Sequence, residues 1–166
     1  MARDVIAALT EALGRALIAD RRRLGVAESC TGGGLSYRLT ELPGSSDWFD
    51  RGFVTYSNVA KTSLLGVPEG VIAMHAAVSA EVAEAMARGV LDRAPVDLSV
   101  AITGIAGPSG ACPGKPVGTV FIAVAAQGHL GCRRHWFAGD RGAVRRQSIE
   151  HALRALLDLQ EVFKNA

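Results

Sequence analysis

The sequence has few cysteines, no C-x-x-C motif and no long apolar run. Its three cysteines are Cys30, Cys112 and Cys132. This odd number argues against a disulfide framework and favours a reducing, cytoplasmic location. The longest strongly apolar run, residues 117–126, is too short to cross a membrane, and charged residues interrupt the N-terminus where a signal peptide would be apolar. We therefore expect neither secretion nor membrane insertion.

An excess of charge of one sign is also missing. Lysine and arginine total 18 and aspartate and glutamate 16, so the formal net charge is +2. This balance does not favour nucleic acid as a partner, and the basic run at residues 21–23 suits the end of an amphipathic helix. With 166 residues, 49% of them hydrophobic, the chain is expected to form one domain over residues 1–166.

Histidine is scarce as well. The four histidines are His75, His129, His135 and His151, and no pair has the spacing of a helical zinc motif. Each of these histidines is better explained as a side chain that packs in the core or faces solvent than as a metal ligand. We therefore predict no metal site.

Apolar periodicity and turn residues predict the order of the secondary structure. Helices are predicted over residues 3–20, 32–41, 58–65, 79–93 and from 139 onward, with Asn58 as the N-cap of the third. Strands are predicted over residues 24–27, 52–57, 96–102, 117–126 and 131–137. This order predicts an α/β fold, a three-layer α/β/α arrangement with a single mixed sheet and helices on both faces.

The most informative segment, residues 26–34, reads VAESCTGGG. A short apolar strand ends in polar residues, and a glycine-rich turn then leads into a helix. Such a turn presents Ser29 at the sheet edge, and the backbone N–H groups around Thr31, Gly32 and Gly33 could hold an oxyanion or a phosphate. A plain glycine-rich turn with a capping hydroxyl residue fits the pattern equally well.

A second segment, residues 55–61, also lies between a strand and a helix. If its strand runs parallel to the one before Ser29, then Ser29, Tyr56 and Lys61 converge at one sheet edge. A lysine that is buried near a helix N-terminus loses its proton more readily and can take the proton of a serine. An exposed lysine and a packed tyrosine are the alternative.

A third segment follows the strand at residues 96–102. Its backbone N–H groups could contact an anion, with Lys115 and Arg141 adding positive charge. The residues proposed for this contact are Thr103, Gly104, Ile105, Ala106 and Gly107. An ordinary surface loop is the alternative, although a Gly/Pro loop as long as residues 103–116 more often has a function.

Together these segments resemble the CinA C-terminal domain family of nicotinamide-nucleotide amidohydrolases. The resemblance covers nearly the whole chain in the right order. The matching stretches are residues 26–33, 55–58 with Lys61, 64–68, 75 with 77–79, 101–108, 115–120 and 139–141. The chain departs from the family pattern at Gly142, where the family usually has Glu, and in the loop at residues 107–114.

The resemblance implies a domain, often dimeric, that converts nicotinamide mononucleotide to nicotinate mononucleotide and ammonia. It implies Ser29 as nucleophile, Lys61 as general base and Tyr56 as an assisting hydroxyl. The loop at residues 103–107 and Arg141 would hold the nucleotide, and neither a metal nor a cofactor would be needed. A catalytically idle nucleotide- or partner-binding domain and an amidase for another carboxamide remain as alternatives.

Overall fold

A five-stranded mixed sheet lies at the centre of the computed structural model, which describes residues 4–165. The strands are β1 (Leu24–Glu28), β2 (Phe49–Val54), β3 (Leu98–Gly104), β4 (Thr119–Ala126) and β5 (His129–Trp136). They are ordered β2-β1-β3-β4-β5. β1 pairs in parallel with β2 and β3, whereas β3, β4 and β5 pair antiparallel. The predicted single mixed sheet is therefore confirmed.

Two layers of helices cover the sheet. The helices are α1 (Val5–Asp20), α2 (Gly34–Thr40), α3 (Asn58–Leu65), α4 (Glu69–His75), α5 (Ala80–Arg93) and α6 (Arg141–Lys164). The first, second and last of these share one core with the sheet, and the other three share a second core on its opposite face. None of the helices within residues 4–165 is long and apolar enough to cross a bilayer.

The central strands are apolar on both faces because both faces are covered. In β1, Val26 packs into the core formed with α1, α2 and α6, and Ala27 packs into the core on the α5 side. A Cβ atom on Gly25 would lie 2.6 Å from a methyl group of Val90 in α5. Small residues on this face therefore let α5 pack close to β1.

Some boundaries differ from the prediction. β2 begins at Phe49, earlier than expected, because the charged residues Asp50 and Arg51 of this edge strand concealed its start. Ser57, and not Asn58, caps α3, since its Oγ accepts a hydrogen bond of 3.0 Å from the N–H of Ala60. α4 was not predicted because it is short and contains Gly70.

The first predicted helix begins at residue 3, which lies outside the described residues, as do residues 1, 2 and 166 of the predicted domain. All the other predicted elements are present with shifts of a few residues at their ends. Such shifts are common where helices and strands fray.

The parallel half of the sheet positions the candidate site. β1, β2 and β3 run in the same direction, so their ends at Glu28, Val54 and Gly104 lie along one edge. The three segments that follow these ends are the three that the sequence marked. In open α/β sheets, ligands bind outside the carboxyl ends of the strands.

Candidate active site

Ser29 and Lys61 meet at this edge of the sheet. Ser29 Oγ and Lys61 Nζ lie 3.0 Å apart, although the residues are 32 positions apart in the chain. The N–H of Ser29 donates to the carbonyl of Ile102 at 2.9 Å, which holds the serine against β3. Lys61 lies in the first turn of α3 and is 1% exposed. The structure thus brings together the two residues proposed as nucleophile and base.

The amine of Lys61 is surrounded by uncharged oxygens. Its Nζ also lies 2.8 Å from the carbonyl oxygen of Thr55 and 3.3 Å from that of Tyr56. No carboxylate among residues 4–165 forms an ion pair with it. Burial lowers the pKa of Lys61 from its ordinary value of 10.5, and the effect of Cys30 in the opposite direction is smaller. This environment favours the neutral amine.

The hydroxyl of Tyr56 points to Arg141. Its Oη accepts a hydrogen bond of 2.9 Å from Arg141 Nη2, and Arg141 Nη1 donates to the carbonyl of Gly107 at 2.8 Å. Within residues 4–165, the Tyr56 hydroxyl has no hydrogen bond to Ser29 or Lys61. Its assisting role in proton transfer therefore stays a prediction.

These residues line a cavity of about 350 Å³. Of the predicted site residues, it is lined by Ser29, Tyr56, Lys61, Thr103, Gly104, Ile105, Ala106, Gly107 and Arg141. The other lining residues were not predicted as site residues. They are Cys30, Asn58, Ala77, Val78, Ser109 and Gly110. The polar side chain of Asn58, in the same segment as Lys61, was a signal that could have been used. Ala77 and Val78 lie in a stretch that matches the family pattern, but their apolar side chains gave no indication of a role.

The glycine-rich loop after β3 is fixed by close contacts. Thr103 Oγ1 donates to the carbonyl of Ala77 at 2.9 Å. A Cβ atom on Gly104 would lie 2.9 Å from the carbonyl oxygen of Thr119, so a side chain does not fit there. Within residues 4–165, the N–H groups of Ala106 and Gly107 donate no hydrogen bond. Both residues line the cavity, as does Arg141.

The turn after Ser29 contributes backbone and not side chains. Thr31 is fully buried, and its Oγ1 donates to Glu28 Oε1 at 2.7 Å. The N–H of Gly32 donates to the carbonyl of Ser29 at 3.0 Å, and Gly33 has a positive φ of 96°. Thr31, Gly32 and Gly33 are not among the residues that line the cavity. Their contribution to substrate binding stays a prediction.

Two N–H groups of this turn have no backbone acceptor among the described residues. The N–H groups of Cys30 and Thr31 donate to no other described residue. Cys30 and Thr31 directly follow Ser29 in the chain. An acyl-transfer enzyme needs hydrogen-bond donors for the oxyanion close to its nucleophile.

The thiol of Cys30 lines the cavity beside Ser29 but is poorly suited to attack. Burial is the main reason that the pKa of Cys30 is raised from its ordinary value of 9.0 to about 11. The thiolate is the nucleophilic form of cysteine, and it is scarce at neutral pH under these conditions. The electrostatics therefore favour Ser29 over Cys30 as the nucleophile.

Lys115, expected to add charge near the glycine-rich loop, lies outside the cavity lining. Its Nζ donates to the carbonyls of Val78 at 2.5 Å and His75 at 3.3 Å, and so holds the segment between α4 and α5. In the part of the chain that the structure describes, no group of three or more His, Cys, Asp or Glu side chains is arranged to hold a metal ion.

Comparison with known proteins identifies the same family that the sequence motifs resemble. Residues 6–160 match the family described as the CinA C-terminal domain. The nicotinamide-nucleotide amidohydrolase PncC of Pseudomonas putida is 47% identical over 156 residues, which cover 94% of this chain and 98% of that protein. A crystal structure of a CinA superfamily protein from Escherichia coli superimposes with a TM-score of 0.90 at 42% identity, covering 93% of this chain and 90% of that one.

A further relative is longer than this chain. A putative competence-damage inducible protein of Symbiobacterium thermophilum is 49% identical over 154 residues, but the match covers 36% of that protein and 87% of this chain. The chain thus spans about a third of the length of this relative. It spans nearly the whole of the Pseudomonas one.

Proposed function

Because the chain belongs to the CinA C-terminal domain family, we propose that it is an amidohydrolase that converts nicotinamide mononucleotide to nicotinate mononucleotide and ammonia. Relatives that match over most of the chain are named for this activity. The observation that carries the proposal is the 3.0 Å contact between Ser29 Oγ and the buried amine of Lys61. A serine next to an uncharged amine is a nucleophile next to its base.

The contacts of Lys61 suit a neutral amine, which has two N–H groups and one lone pair. In that form the carbonyls of Thr55 and Tyr56 accept from the two N–H groups, and the lone pair is left for the proton of the Ser29 hydroxyl, whose oxygen lies 3.0 Å from Nζ. In the first step Ser29 Oγ attacks the carboxamide carbon while its proton passes to Lys61 Nζ. The product of this step is a tetrahedral intermediate with a negatively charged oxygen and an ammonium on Lys61.

The free N–H groups of Cys30 and Thr31 are proposed to hold that oxygen. Donors of this kind contribute roughly 3–4 kcal/mol each to transition-state stabilisation in comparable sites. They require no reorganisation during the reaction, because the turn that carries them is packed between β1 and α2.

The leaving group then needs a proton, which the Lys61 ammonium supplies as the C–N bond breaks and ammonia departs. An ester between Ser29 and the nicotinoyl group remains. Water attacks this ester, Lys61 takes the proton of the water, and the serine hydroxyl is restored as nicotinate mononucleotide leaves. Every proton in this scheme passes through one side chain, which is why the pKa of Lys61 controls the reaction.

The nucleotide end is proposed to lie against Arg141 and the glycine-rich loop. Both hydrogen bonds of the Arg141 guanidinium go to uncharged oxygens, of Tyr56 and Gly107. Among residues 4–165, no carboxylate neutralises it. An unpaired guanidinium beside the free N–H groups of Ala106 and Gly107 suits a phosphate group.

The experiment that tests this proposal measures ammonia release from nicotinamide mononucleotide. The wild-type protein is expected to release ammonia, and Ser29→Ala is expected to lose at least about 1,000-fold in kcat, as losses of catalytic nucleophiles do. Ser148→Ala is the matched control, since Ser148 is also buried and its Oγ donates to the carbonyl of Val144 in α6, away from the cavity. Full activity in Ser29→Ala would contradict the mechanism.

Other results would point to the alternatives. Binding of the nucleotide without ammonia release by the wild-type protein would identify a catalytically idle domain. Ammonia release from a different carboxamide in a substrate panel, but not from nicotinamide mononucleotide, would retain the Ser29–Lys61 pair and replace the substrate.

We further propose that the protein acts as a homodimer, in the cytoplasm, without a metal or cofactor and without a nucleic-acid partner. Light scattering after size-exclusion chromatography measures the mass in solution. A mass near twice 17.4 kDa is expected for the dimer. Ammonia release that persists after treatment with a chelator is expected for a metal-free site.

A further inference from the structure

Glu28, the residue before Ser29, has a fully buried carboxylate that the proposed mechanism does not use. Its Oε1 accepts hydrogen bonds from Thr31 Oγ1 at 2.7 Å and from the N–H of Leu35 at 2.8 Å. Its Oε2 accepts from the N–H of Ser36 at 3.0 Å and from Ser36 Oγ at 2.7 Å. These four donors fill the acceptor positions of an ionised carboxylate.

Burying a carboxylate is costly, and the usual compensation is an ion pair. Within residues 4–165, no lysine, arginine or histidine forms an ion pair with Glu28. The compensation comes from hydrogen bonds alone, and all four donors lie between residues 31 and 36. The carboxylate therefore joins the end of β1 to the first turn of α2, across the loop that begins with the nucleophile.

The loop between these two anchors carries the proposed oxyanion donors. Two contacts hold Thr31. Its side chain donates to the Glu28 carboxylate, and its carbonyl accepts a hydrogen bond of 3.0 Å from Nη2 of Arg145 in α6. These two contacts leave the N–H of Thr31, and that of Cys30 before it, without a partner among the described residues. The orientation of the two N–H groups thus depends on where Thr31 is fixed.

The backbone of Glu28 also connects to the base. Its carbonyl accepts a hydrogen bond of 2.9 Å from the N–H of Thr55, and the Thr55 carbonyl in turn accepts one from Lys61 Nζ. The backbone of Glu28 is thus linked through Thr55 to the amine of the proposed base.

We propose that Glu28 is a positioning residue for acyl transfer, because its carboxylate holds Thr31 so that the N–H groups of Cys30 and Thr31 face the oxyanion formed at Ser29. The proposal rests on the proposed function. Glu28 itself contacts neither substrate nor the reacting atoms.

The test compares Glu28→Gln with the wild-type protein in three measurements. They are kcat and KM for ammonia release from nicotinamide mononucleotide, the rate at which diisopropyl fluorophosphate labels Ser29, followed by intact mass, and the thermal unfolding midpoint. In the variant, the amide NH₂ that replaces one oxygen cannot accept from a backbone N–H. We expect kcat and the labelling rate each to fall by about 10- to 100-fold, with KM changed less than about twofold.

The matched control is Ser99→Ala, which removes a different buried hydrogen bond, the 2.7 Å contact from Ser99 Oγ to the carbonyl of Ala87. This variant is expected to lower the unfolding midpoint and to leave kcat and the labelling rate unchanged. Equal values of kcat and labelling rate in Glu28→Gln and Ser99→Ala would overturn the proposal, because Glu28 would then be a structural residue only.

Two further outcomes separate this proposal from the substrate assignment. If the wild-type protein releases no ammonia but Glu28→Gln still slows the labelling of Ser29, the positioning role stands and the substrate is wrong. If Glu28→Gln does not fold, Thr31→Val removes one of the four donors and keeps the branched shape. We then expect a fall in kcat of roughly 3- to 10-fold at unchanged KM, and an unchanged kcat would overturn the proposal.

Discussion

Two of the cavities in the described chain lie on opposite halves of the sheet, and the smaller of these two carries the candidate active site. A cavity of about 510 Å³ lies between β5 and α6, on the antiparallel half. The site cavity, at the carboxyl ends of the parallel strands, has about 350 Å³. The lining of the larger cavity includes the apolar residues Ile122 and Val124 and the two histidines His135 and His151.

The two cavities differ in how their polar groups are held. In the smaller one, a buried hydroxyl and a buried amine lie at hydrogen-bond distance from each other. In the larger one, Cys132 is the only thiol or hydroxyl among the lining side chains within residues 4–165, and burial is the main reason that its pKa is raised to about 12. Convergent buried polar groups therefore identify the site better than volume does.

The topology explains why the chemistry collects on one half. The parallel strands β1, β2 and β3 deliver three chain segments to one edge of the sheet. The antiparallel strands β4 and β5 form a hairpin, so their carboxyl ends lie at opposite edges. A parallel sheet thus brings together residues that are distant in sequence, such as Ser29 and Lys61, and a hairpin does not.

The largest difference in kcat between variants of the two cavities is expected when Lys61→Met is compared with His151→Gln. Lys61→Met keeps a long side chain in the buried position but removes the base, and kcat is expected to fall at least about 1,000-fold. His151→Gln, in the larger cavity, is expected to change kcat less than about twofold. Steady-state ammonia release measures both. Comparable losses in the two variants would mean that the cavity between β5 and α6 takes part in the reaction.

The next largest difference is expected between two arginines of α6. Arg141→Gln removes the unpaired guanidinium from the site cavity, and KM for the nucleotide is expected to rise about 10- to 50-fold with a smaller change in kcat. Arg154→Gln is the matched control in the larger cavity, where Arg154 pairs with Glu150 at 2.8 Å. An unchanged KM in Arg141→Gln would place the phosphate elsewhere.

The pH dependence of activity sharpens the assignment of the base. Burial lowers the pKa of Lys61, and the neutral amine is the active form, so kcat/KM is expected to rise with pH and level off below the ordinary lysine value of 10.5. Below the lowered pKa, the expected slope is about tenfold per pH unit for a single required deprotonation. A profile that falls with rising pH between pH 6 and 9 would argue against Lys61 as the base.

The smallest effect is expected from His135 in the larger cavity, and it concerns stability. Burial is the main cause that lowers the pKa of His135 from 6.5, with contributions from His151 and Arg133. The unfolded chain therefore binds more protons than the folded one just below pH 6.5, and stability falls as the pH falls through this range.

The variant His135→Phe is expected to lose less stability than the wild-type protein between pH 7.5 and 5. Between these two pH values, the change in the free energy of unfolding is expected to differ between the variant and the wild-type protein by less than about 1 kcal/mol. Urea denaturation at the two pH values measures it. The same pH dependence in both proteins would show that His135 does not contribute.

Most of the fold could be predicted from the sequence, because its signals are local. The apolar periodicity of α1 and α6 and the glycines after β1 and β3 are properties of short segments. The elements that escaped prediction had weak local signals. α4 is a seven-residue helix, and charged residues at positions 50 and 51 hid the start of β2.

The candidate site could be predicted in part. Ser29 and Lys61 were candidates because a hydroxyl before a glycine-rich turn and a lysine at a strand-to-helix junction suit a nucleophile and its base, and the resemblance to the CinA family implied these roles. Glu28 did not stand out, since its role depends on four donors that only the folded chain brings to it. The bond between the Tyr56 hydroxyl and Arg141, 85 residues apart, could not be predicted either.

The sequence by itself determined the α/β class, the order of the elements and the short segments where chemistry could occur. The tertiary structure alone decided that Ser29 and Lys61 lie 3.0 Å apart and that Lys61 is 1% exposed. The physical reason is that local propensity acts within a few residues of the chain. Burial, side-chain direction and pKa depend on the register of β1 between its two parallel neighbours and on the packing of α3 beside them.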